Sequence, residues 1–324
     1  MDRMVKSRRG VFLVAAGMMV VLLVTGCRTA GAGDGPHDLR LALQPGETYS
    51  FNMLVQQTID QQIMGMDINT TQDIASGYEY RVLEVADDGS MLLGVTLHNI
   101  SMESATSAPD ISPEDQAEMM EALNESFDML NEASRDLEFR LRVTPKGEIL
   151  SIDGVEAWLE GYLAAIDKQD TEHGKAAREM AESLLGPDMF KQSWRQAFGY
   201  IPEHPVMVGD SWTYTLEMDQ GLAMQAVSEY TLLAATDSTY ELSVTGSVRS
   251  GNEHSDFLLE LEQQGVKVDL VMDGVLHGTL TLDRLTGWTL ASELSMTADA
   301  EMLLSVGEES LTATMQLQSV TRVQ

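Results

Sequence analysis

From Ser211 to the carboxyl terminus the chain alternates apolar and polar residues at the two-residue period of a strand, over 211–219, 224–235, 240–250, 266–282, 288–296 and 311–323. Several runs are separated only by turn-forming tetrapeptides such as Thr236-Asp237-Ser238-Thr239 and Arg284-Leu285-Thr286-Gly287. Strands linked so tightly pair antiparallel, because a parallel neighbour needs a crossover of about a dozen residues or more. The amino-terminal third has the same grammar. Leu39 to Leu43 alternates as a strand, the turn Gln44-Pro45-Gly46-Glu47 comes next, and the strand Thr48 to Asp60 puts Tyr49, Phe51, Met53 and Val55 on one face. Met64 to Asp67 reads as a hairpin tip, and strands Tyr78 to Val85 and Met91 to Ser101 flank the hairpin turn Asp87-Asp88-Gly89-Ser90.

The middle changes period. Ser112-Pro113-Glu114-Asp115 joins an N-cap, a proline at the first helical position and an acidic first turn. Met119, Leu123, Phe127 and Leu130 then recur at helical spacing, and Ser104 to Ile111 reads as the loop leading in. A short hairpin (Leu137 to Thr144, Pro145-Lys146-Gly147, Glu148 to Ile152) interrupts before helical patterns at 155–167, 172–185 and 188–198, with Trp158, Leu159, Tyr162, Leu163 and Ile166 as one stripe. The expected fold is α+β: a large curved antiparallel sheet or open half-barrel, with a helical segment of about 112–198 on its concave face. Both stripes must bury against the sheet. That makes Met119, Leu123, Phe127, Leu130, Trp158 and Tyr162 the candidate lining of an apolar cavity.

A weak internal repeat runs through the strands. Gly46-Glu47-Thr48-Tyr49-Ser50-Phe51 parallels Gly209-Asp210-Ser211-Trp212-Thr213-Tyr214, and Tyr80-Arg81-Val82-Leu83 parallels Tyr230-Thr231-Leu232-Leu233. Two similar β-meanders flanking the helical insertion, or coincidence among alternating strands, would both produce it.

The amino terminus speaks to location. Arg3, Lys6, Arg8 and Arg9 precede an unbroken apolar run from Val11 to Val24, as in a secretory signal, and the run is too short for the roughly 20 residues of a membrane span. It ends in Val24-Thr25-Gly26-Cys27, which resembles the lipobox of bacterial lipoproteins. The resemblance implies cleavage between Gly26 and Cys27 and acylation of the Cys27 thiol, the only one in the chain. Residues 27–38, Gly/Ala-rich, read as a flexible tether, leaving 39–324 as one domain. Arg28 rather than Asp comes after the cysteine, which by resemblance to proteobacterial sorting implies the outer membrane. The expected partners are a membrane, through that lipid, and either an apolar small molecule or another envelope protein.

Charge excludes several classes. The chain has 20 Lys+Arg against 51 Asp+Glu, a formal −31. Residues 1–26 carry a net +3, so the remainder carries −34. A nucleic-acid binder needs a basic face, and this is the opposite. With 44% apolar residues the chain has ample material for a core. Its 21 methionines suit irregular packing or a pliable apolar cavity better than a Cu(I) site, which needs clustered thioethers.

Catalytic motifs are weak. Gly209-Asp210-Ser211-Trp212 invites comparison with GDSL-type esterases, but Ser211 opens a strand pattern rather than a helix, and Asp170-x-x-His173 lies upstream instead of near the carboxyl end. The histidines at 37, 98, 173, 204, 254 and 277 lack metal-site spacing. No cofactor, metal or catalytic residue is expected.

Four segments in order resemble an uncharacterised family of bacterial lipoproteins of the Bacteroidetes and Rhodothermus type: Leu39-Arg40-Leu41 with Pro45 to Tyr49; Val143 to Glu148; Pro205-Val206-x-Val208 to Trp212; and Asp283-x-x-Thr286-Gly287. The family has no assigned activity. The expected architecture also resembles, distantly, the half-barrels of periplasmic lipoprotein carriers. The expectation is therefore a non-enzymatic envelope lipoprotein that binds an apolar ligand between sheet and helices. A scaffold acting through exposed strand edges is the alternative, and a hydrolase ranks last.

Overall fold

The structure, a computed structural model, describes residues 35–324 except 64, 108–111, several positions between 113 and 137, 168–186, 219–223, 251–265 and 307–308. The chain divides into two units, residues 1–30 and 31–324. Cys27, Gly26, the signal and most of the tether lie outside the described residues.

The second unit is built on one eleven-stranded antiparallel sheet. Its strands are β1 (Thr48–Ile63), β2 (Met66–Val85), β3 (Met91–Ser107), β4 (Phe139–Val143), β5 (Ile149–Asp153), β6 (Ser211–Met218), β7 (Met224–Ala235), β8 (Thr239–Ser250), β9 (Val266–Asp283), β10 (Thr289–Val306) and β11 (Glu309–Val323). Among the described residues between β5 and β6 are two helices, α1 (Val155–Asp167) and α2 (Pro187–Phe198). The order across the sheet is β5-β4-β3-β2-β1-β11-β10-β9-β8-β7-β6, so first and last strands pair in the middle and the edges are β5 and β6. The sheet curves without closing. The expected open half-barrel is what forms, with α2 against its inner face.

Antiparallel alternation sorts the side chains. At the lower end, where the β2–β3, β4–β5, β7–β8 and β9–β10 turns gather, Trp194 and Phe198 of α2 pack with Phe51, Tyr80 and Trp288 as a buried aromatic cluster. The Trp194 indole donates to the carbonyl of Gly147 at 2.8 Å and that of Trp288 to Ser50 at 3.1 Å, so neither ring brings an unpaired N–H inside.

Three expectations need correction. Leu39 to Leu43 is not a strand of the sheet. It crosses the lower end as an extended segment, bonding from Leu41 to the Pro145 carbonyl (2.7 Å) and from Ala42 to that of Thr286 (2.8 Å) while burying Leu39, Leu41 and Leu43. Its alternation is real, but it seals a barrel end rather than extending the ladder. Second, β2 begins at Met66, so Asp67 to Gly77, too polar to read as a strand, pairs fully with β1. Third, Ser104 to Ser107 belongs to β3 rather than to a loop, held by pairing with Asn69 to Gln72. Neighbouring strands override weak local propensity in both.

The internal repeat is structural. Gly46 donates to Val82 (2.9 Å) and Val82 to Glu47 (2.9 Å); in the second half Gly209 donates to Leu232 (2.8 Å) and Leu232 to Asp210 (3.1 Å). Tyr49 faces Tyr80 as Trp212 faces Tyr230. The register then slips between Val82 and Glu84 in one meander and between Leu232 and Ala234 in the other. β1-β2-β3 and β6-β7-β8 are thus the same meander.

The leading segments of the two halves meet at an antiparallel bridge between His37 and Val206. His37 is 7% exposed and lies 5.5 Å from the Tyr240 ring, which Arg284 also overlies. Burial, with the Arg284 charge adding to it, holds its imidazole below the ordinary 6.5. A lowered folded-state value means that the unfolded chain takes up the proton first, so stability falls as pH drops below about 6.5. His37→Gln is expected to show a smaller loss than wild type in urea unfolding between neutral and mildly acidic pH.

Candidate functional site

Among the strand residues whose side chains are described, those on the inner face are uncharged. Pairing fixes which residues these are. Phe51, Met53, Val55, Gln57, Ile59 and Gln61 of β1 stand opposite Tyr78, Ser76, Ile74, Gln72, Thr70 and Ile68 of β2. On β11 and β10, Leu317 stands opposite Ala298 and Met315 opposite Ala300. The charges lie on the other face: Asp60, Asp73, Glu79, Lys267, Asp273, Glu293, Asp299 and Glu301.

The inner face has two zones. The lower one is filled. The space between α2 and the sheet is about 70 Å³, bounded by Met53, Tyr78, Phe190, Gln196, Tyr230 and Leu294, too little for more than a water or two. Burial pushes the Tyr230 hydroxyl up to about 12, so that part of the boundary is neutral at ordinary pH. Above it the inner side chains are only half-buried, Val55, Gln57, Ile59, Ile74, Met102, Met296, Met315 and Leu317 among them.

The upper zone is two-sided. On β1–β3 it carries hydrogen-bonding groups: the Gln57 amide donates to the Gln72 carbonyl oxygen, and the Thr70 and Thr106 hydroxyls meet at 3.3 Å. Beside it, β9–β11 present Met, Leu and Ala, the Gln61 amide of β1 reaching the Met315 Sδ at 3.9 Å, and Leu216, Ala226, Val248, Met272, Ala298 and Ala300 of β6–β10 form a second small core. Ser76, 8% exposed on the polar side, has a buried Oγ without a hydrogen-bond partner.

The free upper edge of β3 is partly capped. Asn131 accepts from the Ile100 N–H (2.8 Å) and donates to the Ile100 carbonyl (2.9 Å), reproducing with one side chain the pairing a further strand would make. Described residues between 114 and 132 are helical, and Phe127 there is buried at 6% exposure. Asn131→Ala should raise amide exchange at Ile100, because the edge loses both bonds; deuterium uptake of the peptide containing it checks this.

Of the expected cavity lining, Phe127 is thus buried. Met119, Leu123 and Leu130 lie outside the described residues, and the side chains of Trp158 and Tyr162, on α1, do as well. The polar wall was missed. Its only sequence signal is that Gln57, Gln72 and Ser76 fall on the same alternation as Phe51 and Tyr78.

A second hollow of about 750 Å³ lies where the sheet fails to close. Ile149 and Leu150 of β5 border one side, Trp212 and Tyr214 of β6 the other, with Arg195 and His204 among its polar lining. Ser211 is exposed beside it in sequence, its Oγ 2.8 Å from that of Thr231, a cross-strand pair. Among the described residues, no group of three or more His, Cys, Asp or Glu is placed to hold a metal.

Two solved structures are similar to this chain. One is the COG4313 outer membrane channel from Pseudomonas putida F1, at 10% identity over 90% of this chain and 99% of that one, with a TM-score of 0.21. The other is a doubly substituted OccD1 (OprD), at 6% identity over 89% and 99%, with a TM-score of 0.20. Likeness at that level carries no argument. No curated protein matches. A family model described as "Family of unknown function (DUF6263)" matches residues 88–289, from the β2–β3 turn to the start of β10. The match covers more than half of the sequence, and the chain belongs to that uncharacterised family.

Proposed function

We propose that the protein is a non-enzymatic, lipid-anchored lipoprotein of the bacterial envelope that holds an apolar ligand on the inner face of its half-barrel, above α2. The carrying observation is the uncharged inner face of a chain with 51 acidic residues, whose upper half stays half-buried where the lower half is packed solid. A folded body in water supports the same reading. A transmembrane barrel turns its apolar side chains outward to lipid, whereas this sheet turns Asp, Glu and Lys outward and its Met and Leu inward. Anchoring then falls to Cys27, and the outer membrane, facing the periplasm or the cell surface, is the favoured site.

Mass spectrometry of lipids co-purifying with the full chain tests the reading; recovery of no apolar molecule above background counts against it. Cys27→Ser should release the protein from the membrane fraction or leave the unprocessed precursor, and unchanged fractionation and mobility would refute the anchor. Ser211→Ala should leave any acyl-ester hydrolysis by the preparation unchanged.

One observation favours a scaffold as the second reading. Eleven alternating strands leave β5 and β6 running in the same direction on either side of the 750 Å³ hollow, so one strand of opposite direction would be antiparallel to both. Partner capture weakened by a proline at Thr213 or Thr215 on β6, with ligand content unchanged, would favour it.

A further inference from the structure

We infer that the ligand of the inner face is a neutral amphiphile, an acyl chain whose head carries hydroxyl or ester groups and no charge, and that Ser76 hydrogen-bonds that head. The inference rests on the apolar-ligand reading and narrows it.

The repeat supplies an internal comparison. Tyr80 and Tyr230 occupy equivalent places in the two meanders, so an equal shift along the inner face from each aligns Ser76 of β2 with Ala226 of β7. Both are buried, at 8% and 7% exposure. Alanine therefore suffices for this position in this fold. Serine adds a hydroxyl that finds no partner in the protein, and a buried unpaired hydroxyl opposes folding. A guest that accepts or donates one hydrogen bond there removes the penalty.

The surroundings set the chemistry of that guest. Ser76 stands directly across from Met53 and two residues from Tyr78, both at the edge of the small space between α2 and the sheet. Its neighbours on the same face are Met53 across on β1, Ile100 across on β3, and Ile74 and Tyr78 along β2, while Gln57, Gln72 and Thr70 offer amides and a hydroxyl farther up the same wall. On the strands beside that wall, Met296, Met315 and Leu317 suit an acyl chain, since thioether side chains adapt to irregular partners. No inner-face side chain described on the strands could neutralise a carboxylate or a phosphate, so an anionic head held against them would be desolvated without a partner. Arg195 of α2 and His204 border the hollow between β5 and β6.

The test uses the full lipidated chain on phosphatidylcholine vesicles. Three photo-crosslinking analogues with the same diazirine-bearing acyl chain are compared at equal mole fraction: a monoacylglycerol, a free fatty acid at mildly alkaline pH, and a lysophosphatidylglycerol. The monoacylglycerol should label inner-face peptides at least about tenfold more than either anion, the discrimination expected when an unpaired charge must be buried. Ser76→Ala should reduce that labelling about fivefold, the loss of one hydrogen bond, while leaving circular dichroism unchanged. Gln196→Lys, an exposed α2 position at the edge of the space, should raise fatty-acid labelling. Equal or greater labelling of wild type by an anion would overturn the neutral class while leaving the apolar-ligand reading standing. Labelling undiminished in Ser76→Ala would overturn the role of that hydroxyl. No inner-face labelling by any analogue would overturn both readings.

Discussion

Trp194→Ala is expected to lower the unfolding free energy by about 3–5 kcal/mol, the cost of truncating a large aromatic in a packed core. Trp194 is 1% exposed, its ring centroid lies 4.3 Å from that of Phe198 and 5.5 Å from that of Tyr80, and its indole N–H holds the Gly147 carbonyl at 2.8 Å. The space beside α2 is too small to let neighbours collapse into the void cheaply. Loss of the indole also leaves the Gly147 carbonyl without that donor, which adds to the cavity term. Urea unfolding of the full chain measures the change, and Gln196→Ala, on the exposed side of the same helix, should stay within about 0.5 kcal/mol of wild type. A Trp194→Ala loss below about 1 kcal/mol would mean that α2 does not pack as described.

Gly287→Ala should cost about 3 kcal/mol or more. Gly287 has φ of 70°, a left-handed conformation that strains any residue with a Cβ, and an added Cβ would also collide with the backbone carbonyl of Arg40. Arg40 sits in the segment that seals the lower end, so relief requires moving that segment and the Ala42–Thr286 hydrogen bond with it. Gly46 separates the two contributions. Its φ is 84°, yet nothing lies within 4 Å of its would-be Cβ, so Gly46→Ala incurs only the backbone strain, about 1 kcal/mol. Equal losses for the two variants would show that the close approach at Gly287 contributes nothing.

Packing also explains which elements could be read in advance. β7 occupies the residues its alternation delimits, and α1 spans the residues its apolar stripe delimits, because each buries one face of a single element against a neighbour. The first half of β2 defeats such reading. Its inner residues include Thr70, Gln72 and Ser76, so the apolar signal that marks a half-buried strand is missing where the wall is polar. The feature that hid the strand is the one that makes its inner face a candidate site.

Sequence alone determined the features set by local period and composition: antiparallel strands, a helical interruption and a strongly acidic chain. Tertiary structure decided the rest. The pairing of β1 with β11, across at least 250 residues, carries no local signal because any two alternating strands satisfy each other's hydrogen bonds. The same holds for the bridge of His37 to Val206 and for the carbonyl of Arg40 lying against Gly287. Only the fold could turn all the uncharged alternation inward on one curved sheet. Only the two meanders side by side could mark Ser76 as a hydroxyl where alanine would serve.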